Sequence, residues 1–571
     1  MNALDWVVLL GTMLGIAAYG TWRTRHTDNL NTYLKGNRNT GWVTIGISVA
    51  ATQASAITFL SIPGQGFESG IGFVQNYFGL PLALIIVCAV FLPIYRRLGV
   101  YTAYEYLGNR FDKKTRLLGA VLFLIQRGVQ SGITIYAPAI ILSTVLGWRL
   151  DLTIVFIGII VVIYTVTGGS AAVNLTQKWQ MGVIFGGMVT AFVVLVTKLP
   201  EDSLHVAGAM GKLEGVDFSL NPDRRYTFWS GLFGGLFLSL SYFGTDQSQV
   251  QRYIGGAALR EGRLGLMFNA LFKIPMQFCI LLLGALVFVF YQFQPDTPVF
   301  FNRVEWQQYS EGDDAARFRA IEERHEALHA DKQAKLRAWM AVREGDSGAE
   351  ATARAAVVAA QKDVEAVRQE AKDALLAANP RARTKDSDYV FITFIVTQLP
   401  HGIVGLLVAV MFAAALGSKA GELNALGTTS TIDLWRHFRP LAAHDEARNV
   451  RNAKRWTAFW GAFSIGFALF VSFEENLIES INIIASVFYG VMLGIFLVAF
   501  FLKRVRGTAV FWAAVTAQAL IIAIFLLRNQ FPVLKFSYLW YNVIGCAACV
   551  LFSLVLQTVV RDRPRAAPDQ A

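Results

Sequence analysis

Polar residues interrupt two otherwise apolar stretches of this chain, and both interruptions are suited to holding a solute or an ion. The first reads Ser48-Val49-Ala50-Ala51-Thr52-Gln53-Ala54-Ser55-Ala56-Ile57-Thr58 and runs on to Pro63-Gly64-Gln65-Gly66. The second reads Ser239-Leu240-Ser241-Tyr242-Phe243-Gly244-Thr245-Asp246-Gln247-Ser248-Gln249. In an apolar surround a helix must satisfy its own backbone, so polar, Gly- or Pro-containing stretches survive only against protein or a wet cavity. A third run, Ala413 to Asn424, places small residues around Ser418, where carbonyls and one hydroxyl can approach a hard cation such as sodium. The same letters also suit plain close packing of helices.

Ionisable groups in such surroundings are costly and mark sites by default, and two stand out, Arg127 and Lys419. Arg127 can attract an anionic substrate or snorkel toward the end of its segment. Lys419 can meet Glu422, three residues on along one helix, and be partly neutralised by it. No nucleophile and base pair, metal-spaced His cluster or Gly-rich phosphate loop accompanies them, which argues against an enzyme.

The elements that must position these residues follow from composition. Of 571 residues 54% are hydrophobic and only 16% charged, against about 25% charged in soluble domains. Apolar segments long enough for the roughly 30 Å core of a bilayer recur near 4–20, 41–66, 72–95, 115–147, 152–167, 179–198, 227–250, 264–292, 401–432, 454–473, 477–502, 508–528 and 536–560. An all-α polytopic membrane protein of about thirteen spans is expected. Basic residues gather in alternate loops, 21–40, 96–114, 251–263, 433–453 and 503–507. By the positive-inside rule these loops are cytoplasmic, the N-terminus is outside and the C-terminal tail inside, in a plasma membrane. The net charge of +11 then reads as topology rather than as a nucleic-acid surface. Cys88, Cys279, Cys546 and Cys549 all lie in apolar runs, so small buried residues are expected rather than disulfides.

Between Phe293 and Asp388 the chain changes character, with 18 acidic and 15 basic residues. Helical stretches at 312–343 and 350–378 flank Glu344-Gly345-Asp346-Ser347-Gly348, so an antiparallel hairpin protruding outside the membrane is expected. A partner-docking or self-associating arm is its functional reading, a solvated insertion the plainer one. Residues 1–40 form a leading helix and loop. The two interrupted segments enter from opposite sides, five spans apart, which points to inverted repeats at 41–198 and at 227–292 with 389–502, and to binding where the breaks meet.

These residues resemble the sodium:solute symporter family. The resemblance rests on the Ser48 to Gly64 break, Thr102-Ala103-Tyr104-Glu105-Tyr106-Leu107, Ile135-Tyr136-Ala137-Pro138-Ala139, Gly168-Gly169 with Thr176 and Gln180, Asp246-Gln247 with Gln251-Arg252, and Gly417 to Asn424 followed by Ile432-Asp433. It covers about residues 4 to 560 outside the insertion, and its strings look most like the monocarboxylate, vitamin and iodide branch. The resemblance implies a leucine-transporter-like core of five plus five helices, one helix before it, two after it in 503–571, and alternating access driven by sodium. It implies a sodium site at Ala51, Ala54, Ala414, Gly417 and Ser418, with backbone carbonyls from the alanines and one hydroxyl lost at Gly417. A second sodium site would fall at Gln177, Ala420 and Gly421 and looks absent. Lys419 is expected to fill part of that space, leaving one sodium per cycle. Ser55, Thr58, Gln75, Tyr77, Gln130 and Tyr242 are implied to face the solute, with Arg127 available to an anion. Symport of sodium with a small organic solute, such as a monocarboxylate, is the expectation; a proton-coupled carrier and a transporter-like sensor are the alternatives.

Overall fold

The structure, a computed structural model, describes residues 1–23, 41–53, 55–98, 102–254, 258–312, 314–342, 347–438, 446–471 and 475–560, without the side chains of 16–23, 52, 167–179, 347 and 446–447. Every regular element among them is helical. Eight helices are long and apolar enough to cross a membrane, and four shorter apolar ones are Ala3–Gly15, Trp42–Ala51, Leu150–Val166 and Ser230–Gly244. The expected spans at 152–167 and 179–198 lie on one helical run, Leu150–Lys198, so no backbone break separates them.

Two breaks define the molecule. The first separates Trp42–Gln53 from Ala56–Ser69. The Thr58 hydroxyl donates back across it to the Gln53 carbonyl at 2.8 Å, and Thr58 N–H to Ser55 O at 2.9 Å. The second separates Gly235–Gly244 from Gln247–Ile254. There the Asp246 carboxylate caps the new helix, accepting from Ser248 N–H at 2.8 Å and Ser248 Oγ at 2.6 Å. A side-chain oxygen at an N-cap satisfies donors that the helix cannot.

Around the breaks pack Lys113–Thr134, Leu259–Phe293, Ile403–Thr429 and Leu477–Phe501. Glycines let the first broken helix lie against its neighbours: a side chain on Gly64 would strike the Ser387 carbonyl, and one on Gly66 that of Leu281.

Contacts sort the connections into two ends. At one, Arg110 donates to Lys503 O at 2.9 Å, Arg116 pairs with Asp433 at 2.8 Å and Lys114 reaches Thr508 at 2.7 Å. The basic segments 102–114, 433–438 and 503–507 therefore share one face. At the other end Lys535 lies 3.5 Å from Asp223 and Arg225 pairs with Glu475.

The insertion is a helical hairpin, Ala315–Val342 and Ser347–Ala378. It does not simply protrude. Trp339 and Leu336 pack with Val206, Phe288 and Val289, so the hairpin lies on the ends of apolar helices. The four cysteines are free; Cys88, Cys546 and Cys549 are buried, while Cys279 is exposed on its helix, against expectation.

Candidate functional site

Where the two breaks approach each other the helices enclose a cavity of about 140 Å³. Ser55, Thr58, Tyr77, Arg127, Gln130 and Tyr242 line it, as do Ser418 and Glu422. Three side-chain amide atoms of the lining have no hydrogen-bond partner among the described residues: Gln53 Nε2, Gln130 Oε1 and Asn482 Nδ2. Two can donate to a ligand and one can accept.

Gln75 is placed elsewhere. Its amide donates to Gly72 O at 3.2 Å and Tyr226 O at 3.1 Å, and its oxygen accepts from Asp217 N–H at 2.9 Å. The turn Gly70–Tyr77 is a 3₁₀ helix, whose 3.0 residues per turn change which side chains face inward. Asn76 and Tyr77 line the cavity instead.

Arg127 does not snorkel. It is 4% exposed, pairs with Asp246 and with Glu422 (3.4 Å), and donates to Tyr489 Oη at 3.1 Å. Tyr489 in turn donates to Asp246 at 2.6 Å. The guanidinium sits 5.8 Å from the Tyr242 ring centroid, and the Tyr242 hydroxyl accepts from Gln249 at 2.8 Å. A buried charge persists only when paired, and here two carboxylates already serve it.

Lys419 and Glu422 do not form a direct ion pair. Lys419 Nζ donates to Ser131 Oγ at 2.5 Å and Thr134 Oγ1 at 3.0 Å, and the Thr134 hydroxyl donates to Glu422 at 2.9 Å. The bridge arises because Lys113–Thr134 packs against Ile403–Thr429 and presents its hydroxyls between the two charges.

Ala414, Gly417 and Ser418 are buried and, spaced i, i+3, i+4, share one face of their helix. Ala51 is buried on the inner half of the first broken helix. Ala54 lies outside the described residues, as does the side chain of Gln177. Among the described residues no cluster of three His, Cys, Asp or Glu can hold a metal. Carbonyl and hydroxyl oxygens such as these suit a hard cation like sodium better than a transition metal.

The residue missed by sequence reasoning is Lys273. It is 5% exposed, lines the cavity, and makes no ion pair or hydrogen bond among the described residues; its ammonium lies 5.5 Å from the Tyr77 ring centroid. The signal was present, one lysine in the middle of the apolar run 264–292, followed by Pro275 and Gln277. Among the charged residues of the lining, Arg127 and Lys273 stand against a single carboxylate, Glu422.

Polar contacts join the helices on either side of the cavity. Toward the end that carries the hairpin, Gln65 bonds Glu479 (3.4 Å) and Asn476, and Glu479 meets Arg225 (3.3 Å) and Tyr226. At the opposite end Arg252 donates to Ser48 at 3.1 Å, and Gln251 to Gly421 O at 3.5 Å. Beneath these, the Thr102-to-Leu107 string meets Asp433 through Thr102 Oγ1 at 3.1 Å and Gln247 through Ala103 N–H at 3.0 Å.

Compared with known proteins, residues 33–296 and 371–517 match the sodium:solute symporter family. The human sodium/iodide cotransporter is 32% identical over 261 residues, covering 45% of this chain and 41% of that one. Human sodium-coupled monocarboxylate transporter 1 is 35% identical over 270 residues, 46% of this chain and 44% of that one. The Oryctolagus cuniculus sodium-dependent multivitamin transporter is 33% identical over 303 residues, 52% and 47% respectively. The matched region spans less than half the length of these relatives. The solved structure of a Na+-coupled sialic acid symporter, substrate-bound and outward-open, aligns over 98% of both chains with a TM-score of 0.71 at 22% identity, a likeness of fold.

Proposed function

For a chain that belongs to the sodium:solute symporter family, we propose sodium-coupled symport of a small organic carboxylate by alternating access. The observation that carries this reading is Lys273, an unpaired ammonium inside a cavity whose other buried cation, Arg127, is already neutralised. A carboxylate would accept from Lys273 and from the free amides of Gln53 and Asn482, while Gln130 Oε1 would receive a hydroxyl or amide of the solute. Charge-assisted bonds of this kind are about twice as strong as neutral ones.

Sodium, as co-substrate, would sit between the inner half of the first broken helix and Ile403–Thr429, held by carbonyls of Ala51, Ala54 and Ala414 near Gly417, with the Ser418 hydroxyl. Ser418 and Ser55 line one cavity, so the ion would brace the break on which the solute rests. Coupling needs sodium to favour one access state over the other, since a ligand shifts an equilibrium only by its differential affinity. Lys419 would stand beside the place of a second ion, giving one sodium per cycle. The repeats would be 41–198 and 227–502 without the insertion, and the face bearing 102–114 and 503–507 would be cytoplasmic.

The test is thermal unfolding of the purified protein with monocarboxylates, sugars, amino acids and vitamins, each in sodium and in choline chloride. A ligand that binds only the folded state raises the melting temperature. Stabilisation by monocarboxylates that deepens in sodium is expected; stabilisation by a neutral sugar with no cation dependence would overturn the reading.

A further inference from the structure

The hairpin encloses a second cavity, of about 270 Å³, against the ends of Ala56–Ser69 and Leu259–Phe293. Phe67 and Phe288 form part of its floor. From Lys273 in the central cavity to Phe288 is fifteen residues on one helix, or about 22 Å of rise. The two chambers are therefore distinct, and Gln65, bonded to Glu479, lies one turn from Glu68 in the chamber wall.

The wall is cationic beyond its own pairing. Lys385 pairs with Glu68 at 2.5 Å and Arg368 with Asp386 at 2.9 Å. Lys212, Lys332 and Lys372 make no ion pair among the described residues, and a single further carboxylate, Glu365, faces them. Glu365 is already bonded by Gln361 at 2.8 Å. Lys332 is 3% exposed and its ammonium has one bond, to Gln361 Oε1 at 3.2 Å. Beside it His325, 2% exposed, leaves Nε2 without a partner. Buried polar groups left unsatisfied inside a hollow with surplus charge ask for a complementary ligand.

We propose that this chamber is a second binding site, outside the transport cavity, for a small oxyanion bearing a carboxylate or a phosphate group. Lys332 and Lys372 hold its oxygens, and His325 Nε2–H donates a further bond. The proposal does not depend on what the central cavity carries. Protonation supports it. Burial, with Arg368 nearby, lowers Lys332 to about 7 and burial lowers Lys212 to about 8, while Glu365 and Glu68 act the other way. Burial, with the neighbouring cations, lowers His325 to about 3 and His329, also in the lining, to about 4, so both stay neutral. A bound anion favours the charged lysines, so binding takes up protons and weakens as pH rises beyond about 7.

Titration calorimetry on the full chain carrying Lys273→Met, in choline chloride without sodium, tests this with acetate and with inorganic phosphate as separate probes. One site for at least one probe is expected, and which probe binds names the oxyanion. Affinity should fall tenfold or more in Lys332→Gln/Lys372→Gln and severalfold in the half-exposed Lys372→Gln alone. It should stay near the parent value in Lys332→Arg, and should drop between pH 7 and 8.5. Absence of binding for both probes, or unchanged affinity in the double variant, would overturn the proposal. Sodium independence and survival of Lys273→Met separate this outcome from any failure of the central reading.

Discussion

The two helix breaks look alike in sequence and are closed in opposite ways. At the first, Thr58 bridges from the second segment back to Gln53, and the Gln53 amide nitrogen has no partner among the described residues. At 245–246 a carboxylate fills the gap, capping one helix while neutralising Arg127 and accepting from Tyr489. At the first break the Gln53 amide nitrogen is left over; at the second the carboxylate is committed to the protein. Polarity at a break therefore does not by itself mean a ligand contact, and the partners decide.

That contrast predicts graded losses. Asp246→Asn should be the most damaging change, because Arg127 is left with one carboxylate 3.4 Å away. Breaking a buried pair costs about 3–5 kcal/mol, visible as a lowered urea midpoint together with lost uptake. A mild stability effect would break the comparison. Lys273→Met should leave the midpoint within about 1 kcal/mol while raising the carboxylate KM roughly ten- to hundredfold, the worth of a hydrogen bond to a charge. Ser418→Ala should raise the sodium concentration for half-maximal uptake by about tenfold, with the solute KM at saturating sodium little changed. The smallest effect on transport belongs to Gln75→Leu. It loses bonds away from the cavity, so stability should fall by about 1–3 kcal/mol with the order of preferred solutes unaltered, as read from competition assays.

Much of this was legible from residue order. The breaks showed because hydroxyls and amides crowd inside apolar runs, and the hairpin because its charge density and its Gly-bearing turn differ from everything around it. Pairing across distance was not legible. Arg127 and Asp246 are 119 positions apart, and only the packing of the helices shows that the guanidinium is paired with carboxylates. Gln75 was misplaced because a 3₁₀ turn shifts the inward-facing position to its neighbour. Lys273 was overlooked because one lysine barely lowers the hydropathy of a long apolar segment. The docking of the hairpin could not be read from it, since Trp339 and Leu336 look like ordinary helix residues until Val206 and Phe288 are brought against them.

The most direct test is accumulation of labelled pyruvate in proteoliposomes under an inward sodium gradient, compared with choline, for the parent and Lys273→Met. Sodium-driven accumulation above equilibrium in the parent, with KM raised at least tenfold in the variant, is the predicted result. Accumulation indifferent to sodium, or a variant whose KM matches the parent's, would contradict the account.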